Sequence, residues 1–250
     1  MPDQNSLPNP PVTKPGFFRR KSTYLIGVPV LLALLLVGGP FVYINFIEGD
    51  APAKLSFSAA STSTTRAGTS GTSVPATVDG TWTISEGSKA GYRVKEVLFG
   101  QSTEAVGRTT VVTGDFTISG TTVSAATFTV DLTKVTSDQD NRDRQFQGRI
   151  METATFPTAT FKLTKPITLA TLPANLDEVT VSATGDLTLH GKTQSVTFDV
   201  KARRNGATIE LNGTIPVTFA DYGVANPSFG PASVGDTGEV EFLLVLTQKT

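Results

Sequence analysis

His190 is the single histidine in a chain of 250 residues, and it stands in the run LHGKT, where a hairpin turn is expected. One imidazole cannot complete a metal site that needs two or more, so His190 reads as a turn residue. As the base of a Ser-His-Asp system it would need an activated serine. No G-x-S-x-G turn occurs, and Ser195 has no activating neighbour in the strand that follows. The carboxylate pairs Asp138 with Asp140 and Asp236 with Glu239 fall in turn or helix-capping settings, which gives a glycosidase dyad no support. Cysteine is absent, and with it go disulfides, thiolate nucleophiles and cysteine-based zinc sites. No glycine-rich phosphate loop enters a helix. The residue types point away from an enzyme, and they nominate no catalytic residue, no metal ligand and no cofactor.

What remains is apolar, and it is carried by elements of period two. From Asp79 onward Trp82 and Ile84 alternate in TWTIS, Phe116 and Ile118 in GDFTIS, and Phe128, Val130 and Leu132 in TFTVDLT. Leu187 and Leu189, then Val196, Phe198 and Val200, then Leu211, Ile215, Val217 and Phe219, then Val240, Phe242, Leu244 and Leu246 continue the pattern. Eight or nine half-buried antiparallel strands and one helix give an all-β fold, a barrel or a sandwich around one interior. Gly114, Gly185 and Gly213 recur in similar contexts, VTGDFTI, ATGDLTL and LNGTIPV. Such glycines fit bends or bulges that let long strands curl, and they fit unrelated turns as well. An interior rich in phenylalanine is either filled core or the wall of a hydrocarbon site. Candidate lining residues are Phe116, Ile118, Phe128, Val130, Phe146, Phe161, Leu187, Phe198, Val200, Ile215, Val217, Phe242 and Leu244.

The one interruption is Asp138 to Phe161. Asp138 is the expected N-cap, and Asp140 and Asp143 lie near the positive helix end. Arg142, Phe146, Arg149 and Ile150 follow at helical spacing, Pro157 ends the helix, and a strand begins with ATF. This helix is either a lid whose Phe146 and Ile150 cover the barrel interior or a plain connector. Arg142 and Asp143, being adjacent, do not face each other on a helix, so one of them can fix it to the barrel rim. Arg142, Arg144 and Arg149 are also placed to meet a phosphate headgroup if the helix stands at a barrel mouth.

The first part of the chain cannot build a core. Within a tail of residues 1–23, residues 1–18 are rich in Pro and Asn, and Arg19, Arg20 and Lys21 close them. Residues 24–47 carry no charge, long enough for one helical crossing of a hydrocarbon layer and too long for an ordinary cleavable signal. Basic residues before this segment and acidic ones after it place the N-terminus in the cytoplasm and everything beyond residue 48 outside. Residues 48–78 are rich in Ser, Thr, Gly and Ala and read as a flexible tether to a domain spanning 79–250. A formal net charge of −1 with mixed signs nominates no nucleic acid.

Several segments together resemble the YceI-like family of periplasmic polyisoprenoid-binding proteins over about residues 80–249. They are the opening GTWTIS with TGDFTISG, the block from Asn141, Arg142 and Asp143 to FPTATF, the pair GDLTLHGKTQSVTFDV, and ADYGV at Asp221 to Val224. The chain departs from the family where Lys95 and Arg144 or Gln145 stand in place of histidines. The resemblance implies an extended eight-stranded antiparallel barrel of lipocalin-like architecture with a helix near one end. It also implies an apolar interior for an isoprenoid chain, of quinone or polyprenyl type. The expectation is a membrane-anchored extracytoplasmic protein that holds or carries this lipid. An envelope scaffold module with a filled barrel is the alternative, and a lipid-acting enzyme a more distant one. Oligomeric state is left open.

Overall fold

The computed structural model describes residues 51–57, 78–230 and 232–249. The expected tail 1–23, the membrane-crossing segment 24–47 and most of the Ser/Thr-rich stretch lie outside the described residues. Among the described residues no helix is long and apolar enough to cross a membrane.

Twelve strands form one sheet: β1 (Gly80–Ile84), β2 (Lys89–Leu98), β3 (Gln101–Thr109), β4 (Val112–Ser119), β5 (Thr122–Asp131), β6 (Thr158–Leu163), β7 (Ile167–Thr168), β8 (Glu178–Leu189), β9 (Lys192–Asn205), β10 (Thr208–Thr218), β11 (Ala232–Val234) and β12 (Thr237–Gln248). Eight of them close an antiparallel ring in the order β1-β4-β5-β6-β8-β9-β10-β12, with β12 returning to β1 through Trp82 opposite Gln248 and Ile84 opposite Leu246. The lower half of β12 pairs instead with β2, Val240 opposite Tyr92, so β1 and β2 act as two parts of one long strand. Closure leaves no edge in the ring, which is how a sheet of this size avoids exposing unpaired backbone groups.

Period-two alternation sets the faces. Inward positions supply Trp82, Phe116, Phe128, Leu187, Phe242 and Leu244 to a single core. Threonines between them pair across strands on the outer face, Thr129 with Thr160 at 3.2 Å, Thr184 with Thr197 at 3.0 Å and Thr188 with Thr193 at 2.8 Å. His190 and Gly191 make the β8–β9 turn, both at positive φ as a two-residue primed turn requires (50° and 73°). The His190 ring packs edge-on against Phe156 with centroids 4.6 Å apart, and its Nδ1 lies 3.3 Å from the Tyr222 carbonyl oxygen.

Among the described residues one α-helical segment, α1 (Asp140–Gln145), runs on into a wider turn over Phe146–Ile150. Its start differs from expectation. Gln139 occupies the cap position without a side-chain bond, and Asp138 pairs with Arg142 one turn on. No side chain caps the helix; Asp143 instead fastens the incoming chain, its Oδ1 accepting from the Ser137 amide and the Ser137 hydroxyl, each at 2.7 Å. The Asp143 carboxylate also lies near the positive helix end, which favours it.

Residues 51–57, within the stretch expected to be free tether, lie on the outside of the barrel. The carbonyls of Pro52 and Ala53 each accept from an arginine at 2.5 Å, Arg93 and Arg108 respectively. Lys54 pairs with Glu239 at 3.0 Å, Leu55 accepts from Asn212 at 2.8 Å, and Phe57 lies under the Arg203 guanidinium at 4.5 Å. Beneath this strap Glu241 joins Arg93 (3.3 Å) and Arg108 (2.6 Å), and Arg93 also reaches Glu104 (2.5 Å). The Glu241 and Arg93 side chains are 1% and 4% exposed. Buried charges in this number persist only because each is paired and hydrogen-bonded.

Candidate functional site

The ring is hollow at one end, in a cavity of about 150 Å³. Going inward from the mouth, β8 contributes Val179, Val181 and Ala183, β9 contributes Ala202, Val200 and Phe198, and β12 contributes Leu246, Leu244 and Phe242. Phe116 and Ile118 enter from β4, Ala126 and Phe128 from β5, and Leu163 and Phe161 from β6. A loop after β7, with Leu169, Leu172 and Pro173, leans over the mouth, and Leu172 there is also exposed at 44%. The wall is almost entirely hydrocarbon. Below the mouth such a wall offers water few hydrogen-bond partners.

Four phenylalanines make the floor. Ring centroids are 5.4 Å apart for Phe128 and Phe161, 5.2 Å for Phe161 and Phe198, 6.0 Å for Phe198 and Phe242, and 5.4 Å for Phe242 and Phe128, which closes the circuit. The tilted and edge-on arrangements are those that the aromatic quadrupole favours. Glycines make room for these rings. A β-carbon on Gly185 would stand 2.4 Å from Phe161, and one on Gly213 would stand 2.7 Å from Phe242. Two of the three recurring glycines are thus explained by ring packing at the floor of the cavity.

The expected lining residues divide at this floor. Phe116, Ile118, Phe128, Phe161, Phe198, Val200, Phe242 and Leu244 border the cavity. Val130, Leu187, Ile215 and Val217 are buried on the far side of the floor, in packed core that does not border it. Phe146 is also elsewhere. It stacks on Tyr92 with centroids 4.8 Å apart and planes 16° from parallel, at the end from which β5 runs into α1. The cavity opens at the opposite end, beside the β4–β5 turn. The helix therefore plugs the closed end of the barrel and is no lid over the mouth.

The helix charges serve that plug. Arg142 reaches Glu96 on β2 at 3.2 Å, Arg149 donates to Gln145 at 3.1 Å and to the Pro227 carbonyl at 3.0 Å, and Arg144 lies 3.5 Å from Asn141. None of these arginines borders the cavity. Beneath the helix, burial pushes the Tyr92 hydroxyl pKa well above its ordinary value, with the Arg142 charge partly opposing it. Burial likewise pushes Tyr222 up to about 12, and its hydroxyl has no hydrogen-bond partner among the described residues. Among the described residues no three metal-ligating side chains gather.

Two arginines at the mouth, Arg203 and Arg204, escaped sequence reasoning. The signal was present: Phe198, Val200, Ala202 and Arg204 share one phase of β9, and a charged residue in the inward phase of a strand is worth asking about. The loop over the mouth, LATLPANLD, has no period-two signature.

The family model described as YceI-like domain matches residues 82–246. No match was found among curated proteins. Among solved structures, a polyisoprenoid-binding domain from Saccharophagus degradans superposes with a TM-score of 0.54 at 19% identity, covering 67% of this chain and 98% of that one. BcnA from Burkholderia cenocepacia gives 0.49 at 23% identity, covering 63% and 95%, and a YceI protein from Campylobacter jejuni gives 0.45 at 14% identity, covering 56% and 83%. The first of these shares the fold. With the closed ring of eight antiparallel strands, the plugging helix and a family match across the whole barrel, this chain belongs to the YceI-like domain family.

Proposed function

We propose that this protein binds an isoprenoid lipid, with the chain seated in the barrel cavity, and that it does so outside the cytoplasm while held to the membrane by residues 24–47. The observation that carries the reading is the cavity itself. A floor of four phenylalanine rings and walls of aliphatic side chains offer a hydrocarbon chain contact on all sides and offer a polar substrate almost nothing. Burial of apolar chain contributes roughly 0.8 kcal/mol per CH₂ without any polar recognition. The relative from Saccharophagus degradans is described as polyisoprenoid-binding, which agrees with this reading.

The cavity is narrow for a full-length polyisoprenoid. A chain of quinone or polyprenyl type seats one end above the phenylalanine floor and leaves the rest at the mouth, against Leu169, Leu172 and Pro173. Holding or carrying such a lipid needs no covalent step. Organic extraction of the purified full-length chain followed by mass spectrometry tests the reading. A co-purifying isoprenoid supports it, and extracts holding no isoprenoid, together with no uptake of added quinone, count against it.

A further inference from the structure

We infer that the loop over the cavity mouth docks into the surface layer of a lipid bilayer, so that a lipid passes between membrane and cavity without crossing water. The inference rests on the binding reading above and adds the surface through which the ligand enters. The loop is tied down at both ends. The Leu169 amide donates to the Thr121 carbonyl at 2.9 Å, the Leu176 amide donates to the Arg204 carbonyl at 2.7 Å, and the Asn175 side chain accepts from the Gly206 amide at 2.8 Å. Between these ties Leu172 both lines the cavity and is 44% exposed. Leu176 is the sharper case, being 38% exposed, away from the cavity wall and at a φ of 68°. A left-handed position favours glycine or asparagine, and an exposed leucine gains little from burial. Neither the backbone nor the packing of the loop accounts for an apolar side chain there.

Residues 166–176 carry no charge. Asp177 and Glu178 follow them, with Glu178 in register with Arg203, so the charges come after the leucines along the chain and do not interrupt them. The size of this lip decides what covers it. A stable protein interface buries about 800 Å² per partner, and two part-exposed leucines beside half-buried Leu169 and Pro173 fall far short of that. Nor does the neighbouring stretch of this chain suit it, since residues 58–77 hold Val74 as their one large apolar side chain. A bilayer needs no matching surface, and apolar side chains at its interface bind in proportion to the apolar area they bury. The cavity opens at the same place. Docking there joins its hydrocarbon wall to the phase from which a lipid ligand comes.

The test exploits the absence of cysteine from the chain. Thr171→Cys in the loop and Gln101→Cys at the opposite end each carry an NBD label in the full-length protein, reconstituted in vesicles of phosphatidylcholine and phosphatidylglycerol with doxyl-labelled phosphatidylcholine in both leaflets. Gln101 follows the β2–β3 turn, where Phe99 is 47% exposed, so that end is the competing docking surface. The Thr171 label should be quenched about threefold more strongly than the Gln101 label, because only the loop enters the lipid. Leu176→Asn should cut the Thr171 quenching about twofold, with the fold at least as stable because asparagine suits the left-handed position. It should leave geraniol affinity in amphipol unchanged, since Leu176 does not border the cavity. Equal or stronger quenching at Gln101, or quenching at Thr171 untouched by Leu176→Asn, would overturn the docking surface and leave lipid binding standing. An unquenched Thr171 label together with self-association that Leu176→Asn abolishes would overturn it in favour of a second copy of the chain. Failure of the wild-type protein to bind geraniol would strike the binding reading itself.

Discussion

The ring of Phe242 lies 2.7 Å from the point where a β-carbon on Gly213 would stand, and the two are cross-strand partners on β12 and β10. The phenylalanine floor therefore exists because its neighbouring strand carries no side chain there. Gly213→Ala should push Phe242 out of its place between Phe128 and Phe198 and lower stability by about 1–3 kcal/mol, the usual cost of an overpacked core. Urea denaturation of the variant measures this. Unchanged stability would mean that the floor can shift freely.

Phe146 plugs the end of the barrel away from the cavity. Phe146→Ala removes its stack on Tyr92 and should cost about 3–5 kcal/mol of stability. It should leave the dissociation rate of a cavity ligand unchanged, because four phenylalanines stand between the helix and the cavity. Stopped-flow displacement compared with a thermal melt separates the two effects. Faster release at unchanged stability would restore the helix as a lid.

Glu241 lies between Arg93 and Arg108 under the strap. Glu241→Gln leaves two arginines without their shared carboxylate in a dry setting, and a loss of about 3–5 kcal/mol is expected. The same arginines hold the Pro52 and Ala53 carbonyls, so limited proteolysis should cut within residues 51–57 sooner in the variant. A variant as stable and as resistant as the wild type would remove the network from the account.

Tyr222 supplies a pH dependence. Its pKa is raised from the ordinary 10.0 to about 12 by burial, with Asp221 adding to the shift. The folded state thus holds this proton more tightly than the unfolded chain does. The stabilisation is complete below pH 10 and is lost as pH rises through about 12. Tyr222→Phe should therefore flatten the fall in stability across that window. At neutral pH it should be harmless or slightly stabilising, because the hydroxyl it removes is buried without a partner among the described residues. Denaturation curves at several pH values between 8 and 12 decide it, and parallel curves for the two proteins would contradict the assignment.

The all-β fold and most inward residues were legible because the pattern of Phe116, Phe128, Phe198 and Phe242 is a direct consequence of strand geometry. Which end is hollow was not legible. Val130 and Val200 occupy the same phase with the same chemistry, and only the height of each above or below the phenylalanine floor separates packed core from cavity wall. Asp138 looked like the cap, but the helix starts one residue later, at Gln139 without a side-chain cap bond, and Asp138 pairs with Arg142 instead. The strap was invisible for a different reason. Residues 51–57 are held largely through backbone carbonyls, which composition does not reveal, and the arginines that hold them lie on distant strands.

The central claim, that an isoprenoid chain occupies the cavity, is tested most directly by titrating geraniol into the full-length protein and into Val181→Trp. Val181 stands on the cavity wall without belonging to the aromatic floor. An indole there fills the space a chain would take. Saturable binding by the wild-type protein and an affinity at least tenfold weaker in a Val181→Trp variant that still melts cooperatively is the predicted result. Equal affinity for the two proteins, or no binding by the wild type, would contradict it.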